Sequence, residues 1–218
     1  MKLLAVRLAR SIWLLPPYFL NPKGIFLRPA VEVMKARYKF LRTTLDNPAA
    51  PPSTEFKYEN GAFDRKNGPV SIVSMTLHND GIVVDTRSST DDADSFLEDV
   101  IDWMSKEYGL PPHTEMPVKR IYVSELNVSF PRAPVFLNQK FAPLVDEISS
   151  TISDDIAGKV DFLGFQLATD RNRGNRQATF RIEREINTEI GENRYYAFAT
   201  AKTDTHIKLL KMLEKLAV

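Results

Sequence analysis

Residues 17–23 read PYFLNPK and residues 134–140 read PVFLNQK, so five of seven positions recur 117 residues apart. A chain that repeats a segment at this spacing is constrained to fold as two related halves. Pro29, Val31 and Glu32 follow the first copy roughly as Pro143, Val145 and Glu147 follow the second. A second pair agrees with the first: FDRKNG at 63–68 and TDRNRG at 169–174 stand 106 residues apart. The difference of eleven residues is absorbed if the Pro-rich stretch NPAAPPST at 47–54, with its neighbours, is an insertion in the first half.

Hydrophobic periodicity places elements around these repeats. Leu4 to Leu15 alternates loosely up to Pro16 and Pro17, and KRIYVSELNVSF at 119–130 puts Tyr122, Ser124, Leu126, Val128 and Phe130 on one face, so both segments read as strands. A PxFLNxK loop follows each. Helices are expected over 29–40 and 139–152, with Pro29 tolerated in a first turn. Three strands then follow in each half, at 56–63, 70–78 and 82–87 and at 160–169, 177–187 and 194–202. Asn79-Asp80-Gly81 forms a compact hairpin turn, and Glu192-Asn193 marks its counterpart. Each half closes with a helix. Thr90 is the expected cap of the first, which buries Phe96, Leu97, Val100, Ile101, Met104 and Tyr108. The second starts at Thr203 or Asp204 and buries Ile207, Leu210, Met212 or Leu213, and Leu216.

The expected fold is therefore α+β, with βαβββα halves at 1–111 and 112–218 joined in one antiparallel sheet, four helices on one face, and a single compact pseudo-twofold domain. This order resembles, in topology, the duplicated saddle of the TATA-box-binding protein. The resemblance implies an exposed concave sheet face and carries no residue roles, because that family has an extra strand per half and sheet aromatics that this sequence does not match.

Composition narrows the function classes. The chain has no cysteine, so disulfide frameworks, thiolate nucleophiles and Cys-ligated metal centres are excluded; a reducing compartment fits, with the cytoplasm as default. Net charge is +1, yet residues 1–45 carry nine Lys or Arg against one Glu and residues 88–107 carry one Lys against seven acids. Such patches attract each other or outside partners. Arg7 and Arg10 interrupt the apolar N-terminus, no stretch reaches the ~18 apolar residues of a membrane span, and the first repeat copy has its twin in mid-chain. A cleaved targeting segment and a membrane partner are therefore not expected.

Three candidate surfaces follow. Arg65 and Lys66 in one half, and Arg171, Arg173 and Arg176 in the other, lie on paired Gly- and Asn-bearing loops that could grip a polyanion backbone; the same composition also serves turn geometry alone. Asp91, Asp94, Glu98 and Asp102 form a helical stripe that could dock a basic partner, the alternative being a solvated face. Asp85, Glu125, Asp161 or Glu183 could hold a metal in a hydrolase if they converged, whereas Arg181, Glu183, Arg184 and Glu185 read more simply as cross-strand charge pairs. His78, His113 and His206 fit no metal spacing, Trp13 and Trp103 are expected in the core, and Phe19 and Phe136 are expected to plug the ends of the sheet. The leading expectation is a non-catalytic binding or assembly subunit with a protein partner, homo-oligomerisation included. Nucleic-acid binding through the basic loops is the alternative and a metal-dependent hydrolase the second; no cofactor and no metal site is expected.

Overall fold

The structure is a computed structural model that describes residues 1–20, 28–44, 55–65, 68–132, 142–152, 163–169 and 178–216. Its elements run β1 (Lys2–Leu14), a helical turn α1 (Pro17–Leu20), α2 (Arg28–Arg37), β2 (Arg42–Thr43), β3 (Phe56–Arg65), β4 (Gly68–His78), β5 (Gly81–Thr86) and α3 (Thr90–Tyr108). There follow β6 (Lys119–Ser129), α4 (Ala142–Ile152), β7 (Gly164–Ala168), β8 (Thr179–Arg184), β9 (Arg194–Ala199) and α5 (Thr203–Leu216). The class is α+β, and the nine strands form an antiparallel sheet in the order β2-β3-β4-β5-β1-β6-β9-β8-β7. The first four long strands succeed one another as β3-β4-β5-β1 and the last four as β7-β8-β9-β6.

The chain divides into two compact units. The N-terminal unit comprises Val6–Ser124 with Thr200–Asp204; the C-terminal unit comprises Met1–Ala5, Glu125–Ala199 and Thr205–Val218. The dividing lines run through β1, β6 and the start of α5, since each of these elements has residues in both units.

In the N-terminal unit, register fixes which side chains share a face. Ala9 pairs with Thr86, Ser11 with Val84 and Trp13 with Ile82 across β1 and β5, while Met75 faces Val84 from β4 and Tyr58 faces Met75 from β3. These residues line one side of the sheet and are essentially fully buried. Phe96, Leu97, Val100, Ile101 and Met104 of α3 and Val31, Met34 and Tyr38 of α2 complete the same core, with Trp103 and Leu20. Tyr38, Phe40 and Phe63 meet Phe96 edge-on and Trp103 meets Tyr38 likewise, an arrangement favoured by the ring quadrupoles. Both tryptophans are thus core residues, as expected, and Phe19 is partly buried against this cluster.

Two helix ends differ from expectation, each for a local reason. The α2 helix stops at Arg37 because Lys39 adopts a left-handed conformation at φ 53°. The Lys39 N–H then bonds the Ala36 carbonyl at 3.3 Å and the Phe40 N–H bonds that of Lys35 at 3.0 Å, a Schellman closure without glycine. Phe40 turns into the core beneath Gly61, where a Cβ would overlap its ring. In α3 the cap is Ser89, whose Oγ accepts the Asp92 N–H at 3.0 Å. Thr90 is the first helical residue, and its hydroxyl oxygen instead accepts the Thr203 N–H at 3.0 Å, while Thr203 Oγ1 accepts the Thr90 N–H at 3.1 Å.

The C-terminal unit is more open. Leu126 and Val128 of β6, Ile182 of β8, Tyr195 and Ala197 of β9, and Leu210 and Leu213 of α5 are buried. On α5, Leu210 and Leu213 are buried as expected, with Met212, the alternative to Leu213, exposed; Ile207 is half-buried, Leu216 is exposed, and His206 joins the buried face instead. Along α4 none of the residues 143–151 is buried.

Candidate functional site

The acidic helix α3 is an internal hub. Asp94 is 5% exposed, and one of its carboxylate oxygens accepts Ser11 Oγ–H at 2.5 Å and Trp13 Nε1–H at 2.9 Å from β1. The other oxygen accepts the Tyr122 hydroxyl of β6 at 2.8 Å, with Lys202 Nζ at 3.6 Å and Arg120 at 3.9 Å. The two cations are themselves placed by aromatic faces: the Arg120 guanidinium lies 4.3 Å from the Trp13 ring centre and the Lys202 ammonium 5.0 Å from that of Tyr122. Burial, and then the bond to Asp94, raise the Tyr122 phenol above its ordinary range. A buried carboxylate is stable only when its oxygens are satisfied, and here they bind α3 to β1, β6 and the start of α5.

Every other acid of the stripe is also matched from within the unit. Asp91 pairs with Lys202 at 2.6 Å, a bond that raises the lysine's pKa. Glu98 meets Arg120 at 3.5 Å, Asp102 meets His113 Nδ1 at 2.6 Å, and Asp99 accepts the Tyr38 hydroxyl at 2.7 Å with Arg37 at 3.3 Å. Burial chiefly, and Asp99 in addition, push the Tyr38 phenol upward. Asp92 is buried against Arg65. Asp94 of the stripe and its neighbour Asp92 point into the fold, whereas the side chains of Asp91, Glu98 and Asp102 remain exposed or half-exposed.

Of the basic-loop residues, Arg65 at the end of β3 is the one within the described regions, and it belongs to Asp92; Lys66, Arg171, Arg173 and Arg176 lie outside them, as do the Pro-rich stretch and the second FLN loop. The carboxylates considered for a metal are committed elsewhere. Asp85 takes Arg10 bidentately at 2.6 and 2.8 Å with Ser74 at 3.1 Å, Glu125 bonds Tyr196, Glu183 lies 3.7 Å from Arg181, and Asp161 is outside the described residues. Among the described residues no three His, Asp or Glu side chains form a group that could hold a metal ion, and no helix is long and apolar enough to cross a membrane. The Arg181–Glu183 pair lies within β8 and not across strands. Arg181 and Glu183 lie two apart on one face of the same strand, Arg184 on the other face stands 5.6 Å from the Tyr195 ring centre, and Glu185 accepts Asn127 at 2.8 Å.

The unassigned chemistry lies in the C-terminal unit and is apolar. Exposed there are Leu144 on α4, Leu163 and Leu167 at β7, Ile186 after β8, and Leu209, Met212 and Leu216 on α5. Residues 209, 212 and 216 recur at helical spacing, so they form one stripe beside the buried face of His206, Leu210 and Leu213. The sequence held two signals for what the structure adds. Thr-Asp occurs at both 90–91 and 203–204, where the reciprocal threonine bonds form, and Leu163, Phe165 and Leu167 alternate through a segment with no charge.

No family model matches the chain, and neither a curated protein nor a solved structure shows significant similarity to it.

Proposed function

We propose that the protein is a binding or assembly subunit that makes protein–protein contacts through its C-terminal unit, on a scaffold that arose by duplication of a βαβββα half. The observation that carries the reading is the distribution of exposed apolar side chains. Eleven large apolar residues are exposed among the described ones; Val33 and Leu41 belong to the N-terminal unit, and the other nine, from Leu3 and Leu4 to Leu216, belong to the C-terminal unit. Apolar surface concentrated in this way is the usual mark of a partner site. Asp91, Asp94, Glu98 and Asp102 of α3 have partners within the N-terminal unit, which favours that unit as the frame and not the contact.

The duplication, with halves at 1–111 and 112–218, is supported by the matching strand successions, by the two Thr-Asp helix starts and by the reciprocal Thr90–Thr203 bonds that a pseudo-twofold relation would generate. The likeness to the TATA-box-binding family remains one of strand succession, to which β2 adds a fifth strand in the first half.

The test is quantitative affinity capture from the source cells with four versions of the chain: wild type, Leu163→Ser with Leu167→Ser, Met212→Ser with Leu216→Ser, and Val33→Ser with Leu41→Ser. Loss of the captured protein with either C-terminal pair, and retention with the Val33 and Leu41 pair, is expected. An identical set of proteins with all four versions would remove the proposal.

A further inference from the structure

Strand β7 ends the sheet order, and among the described residues no strand pairs with its second edge. Its register on β8 decides which backbone groups face that edge. The Arg184 N–H donates to the Leu163 carbonyl at 2.7 Å, and the Thr169 N–H donates to the Ala178 carbonyl at 3.0 Å. In an antiparallel ladder hydrogen-bonded pairs alternate with non-bonded ones, so Phe165 opposite Ile182 and Leu167 opposite Phe180 also turn their amides toward β8. Gly164, Gln166 and Ala168 therefore direct both N–H and C=O outward.

Edges of this kind are normally guarded by Lys, by Pro, by a bulge or by being very short. At the other end of the sheet β2 is two residues long, whereas β7, GFQLA, has five residues with no charge and no proline. Leu163 and Leu167 are 61% and 62% exposed and, with Phe165, lie on the face that carries Ile182. A close approach to β8 is secured by Gly164, where a Cβ would overlap the Ile182 carbonyl oxygen. The edge is thus straight, neutral, apolar on one face and supplied with outward donors and acceptors.

We propose that this edge pairs antiparallel with β7 of a second copy of the chain, in the register that sets Gln166 opposite Gln166. It rests on the reading of the C-terminal unit as the contact unit and names its occupant. In this register Gly164 faces Ala168 of the other copy, so every outward residue both donates and accepts. Phe165 of each copy meets Leu167 of the other on a common face, within the reach of a directly opposed pair. A strand paired with itself about a twofold axis sets each residue type against its own copy's partner, so a charged edge would repel itself; β7 brings no charge to the contact.

The test uses sedimentation velocity of the full chain from micromolar to submillimolar concentration. Wild type is expected to pass from monomer to dimer. Gln166→Pro removes an N–H that does not serve the β7–β8 ladder, so it should abolish the dimer while leaving the urea midpoint unchanged. Gln166→Lys and Gln166→Glu place like charges against each other, so each should be monomeric alone and the equimolar mixture should dimerise. A wild type that stays monomeric at every concentration would overturn the self-pairing, as would a dimer that survives Gln166→Pro and both charge variants. A monomeric wild type whose captured protein is lost with Leu163→Ser and Leu167→Ser would also overturn self-pairing, leaving the edge to a strand of another protein and the C-terminal contact reading intact.

Discussion

Among the described residues the two units close their cores to different degrees. In the N-terminal unit α2 buries Ala30, Val31 and Met34 and ends on the buried Tyr38, whereas no residue from 143 to 151 of α4 is buried. In α3, Asp92 and Asp94 border the apolar face on either side and draw Arg65, Ser11, Trp13, Tyr122, Arg120 and Lys202 toward it; in α5 the buried face of His206, Leu210 and Leu213 is bordered by Leu209, Met212 and Leu216, which are exposed. Element order sets which helix lies near which strands. Whether the helix is locked there depends on side chains whose partners are distant in sequence; α3 has these, whereas the apolar side chains beside the buried face of α5 are exposed.

The largest effect should come from the hub. Asp94→Ala leaves the Trp13 indole N–H and the Ser11 and Tyr122 hydroxyls without their acceptor, while Lys202 keeps Asp91 and Arg120 keeps Glu98, and should cost about 3–5 kcal/mol in urea unfolding. A cost near zero for Asp94→Ala would remove the asymmetry between the units.

The next effect separates the units by pH. Burial lowers the pKa of His206 from 6.5 to about 4, so the imidazole is neutral when folded. The unfolded chain binds the proton more readily between these values. Stability from this group is therefore fully present above pH 6.5 and is lost as pH falls toward 4, on the order of 3 kcal/mol in all. Comparing wild type with His206→Gln in urea at pH 7 and pH 4.5 isolates it. The wild type should lose more stability than the variant, and equal losses would contradict a buried neutral His206.

Smaller effects test the joint between the helix starts and the open surface. Thr90→Val and Thr203→Val should each cost about 1–2 kcal/mol, because each leaves a buried N–H unpaired. The double variant should differ from their sum, since the two hydroxyls belong to one reciprocal pair. At the low end, Leu167→Ser and Met212→Ser should change stability by no more than ~0.5 kcal/mol, while Leu97→Ala in the closed core should cost about 2–5 kcal/mol.

Much of the fold was legible in local pattern. The alternation of Ser124, Leu126, Val128 and Phe130 and the face of Phe96, Leu97, Val100, Ile101 and Met104 are reproduced as expected. The Asn79-Asp80 turn before Gly81 joins β4 to β5. Boundaries decided by remote residues were not legible. Ser89 and Thr90 are both competent caps, and the choice between them goes with the Thr203 amide, 113 residues away, which occupies the Thr90 hydroxyl. The acid stripe looked like a surface because its spacing is regular. Its partners come from β1, β3, the segment after α3, β6 and Lys202 just before α5, with separations of 11 to 111 residues, and no local pattern announces them. On α5, spacing left Met212 and Leu213 as alternatives, of which Leu213 is buried; it did not single out His206, which is buried where Leu216 is exposed.

The central claim is that a closed frame carries an open contact unit. Residue-resolved amide hydrogen exchange on the dilute protein tests it directly. The account predicts slowest exchange in β1, β4, β5 and α3, fast exchange along α4, and within β7 faster exchange at Gly164, Gln166 and Ala168 than at Phe165 and Leu167. Uniform protection across both units, or protection of α4 equal to that of α3, would contradict it.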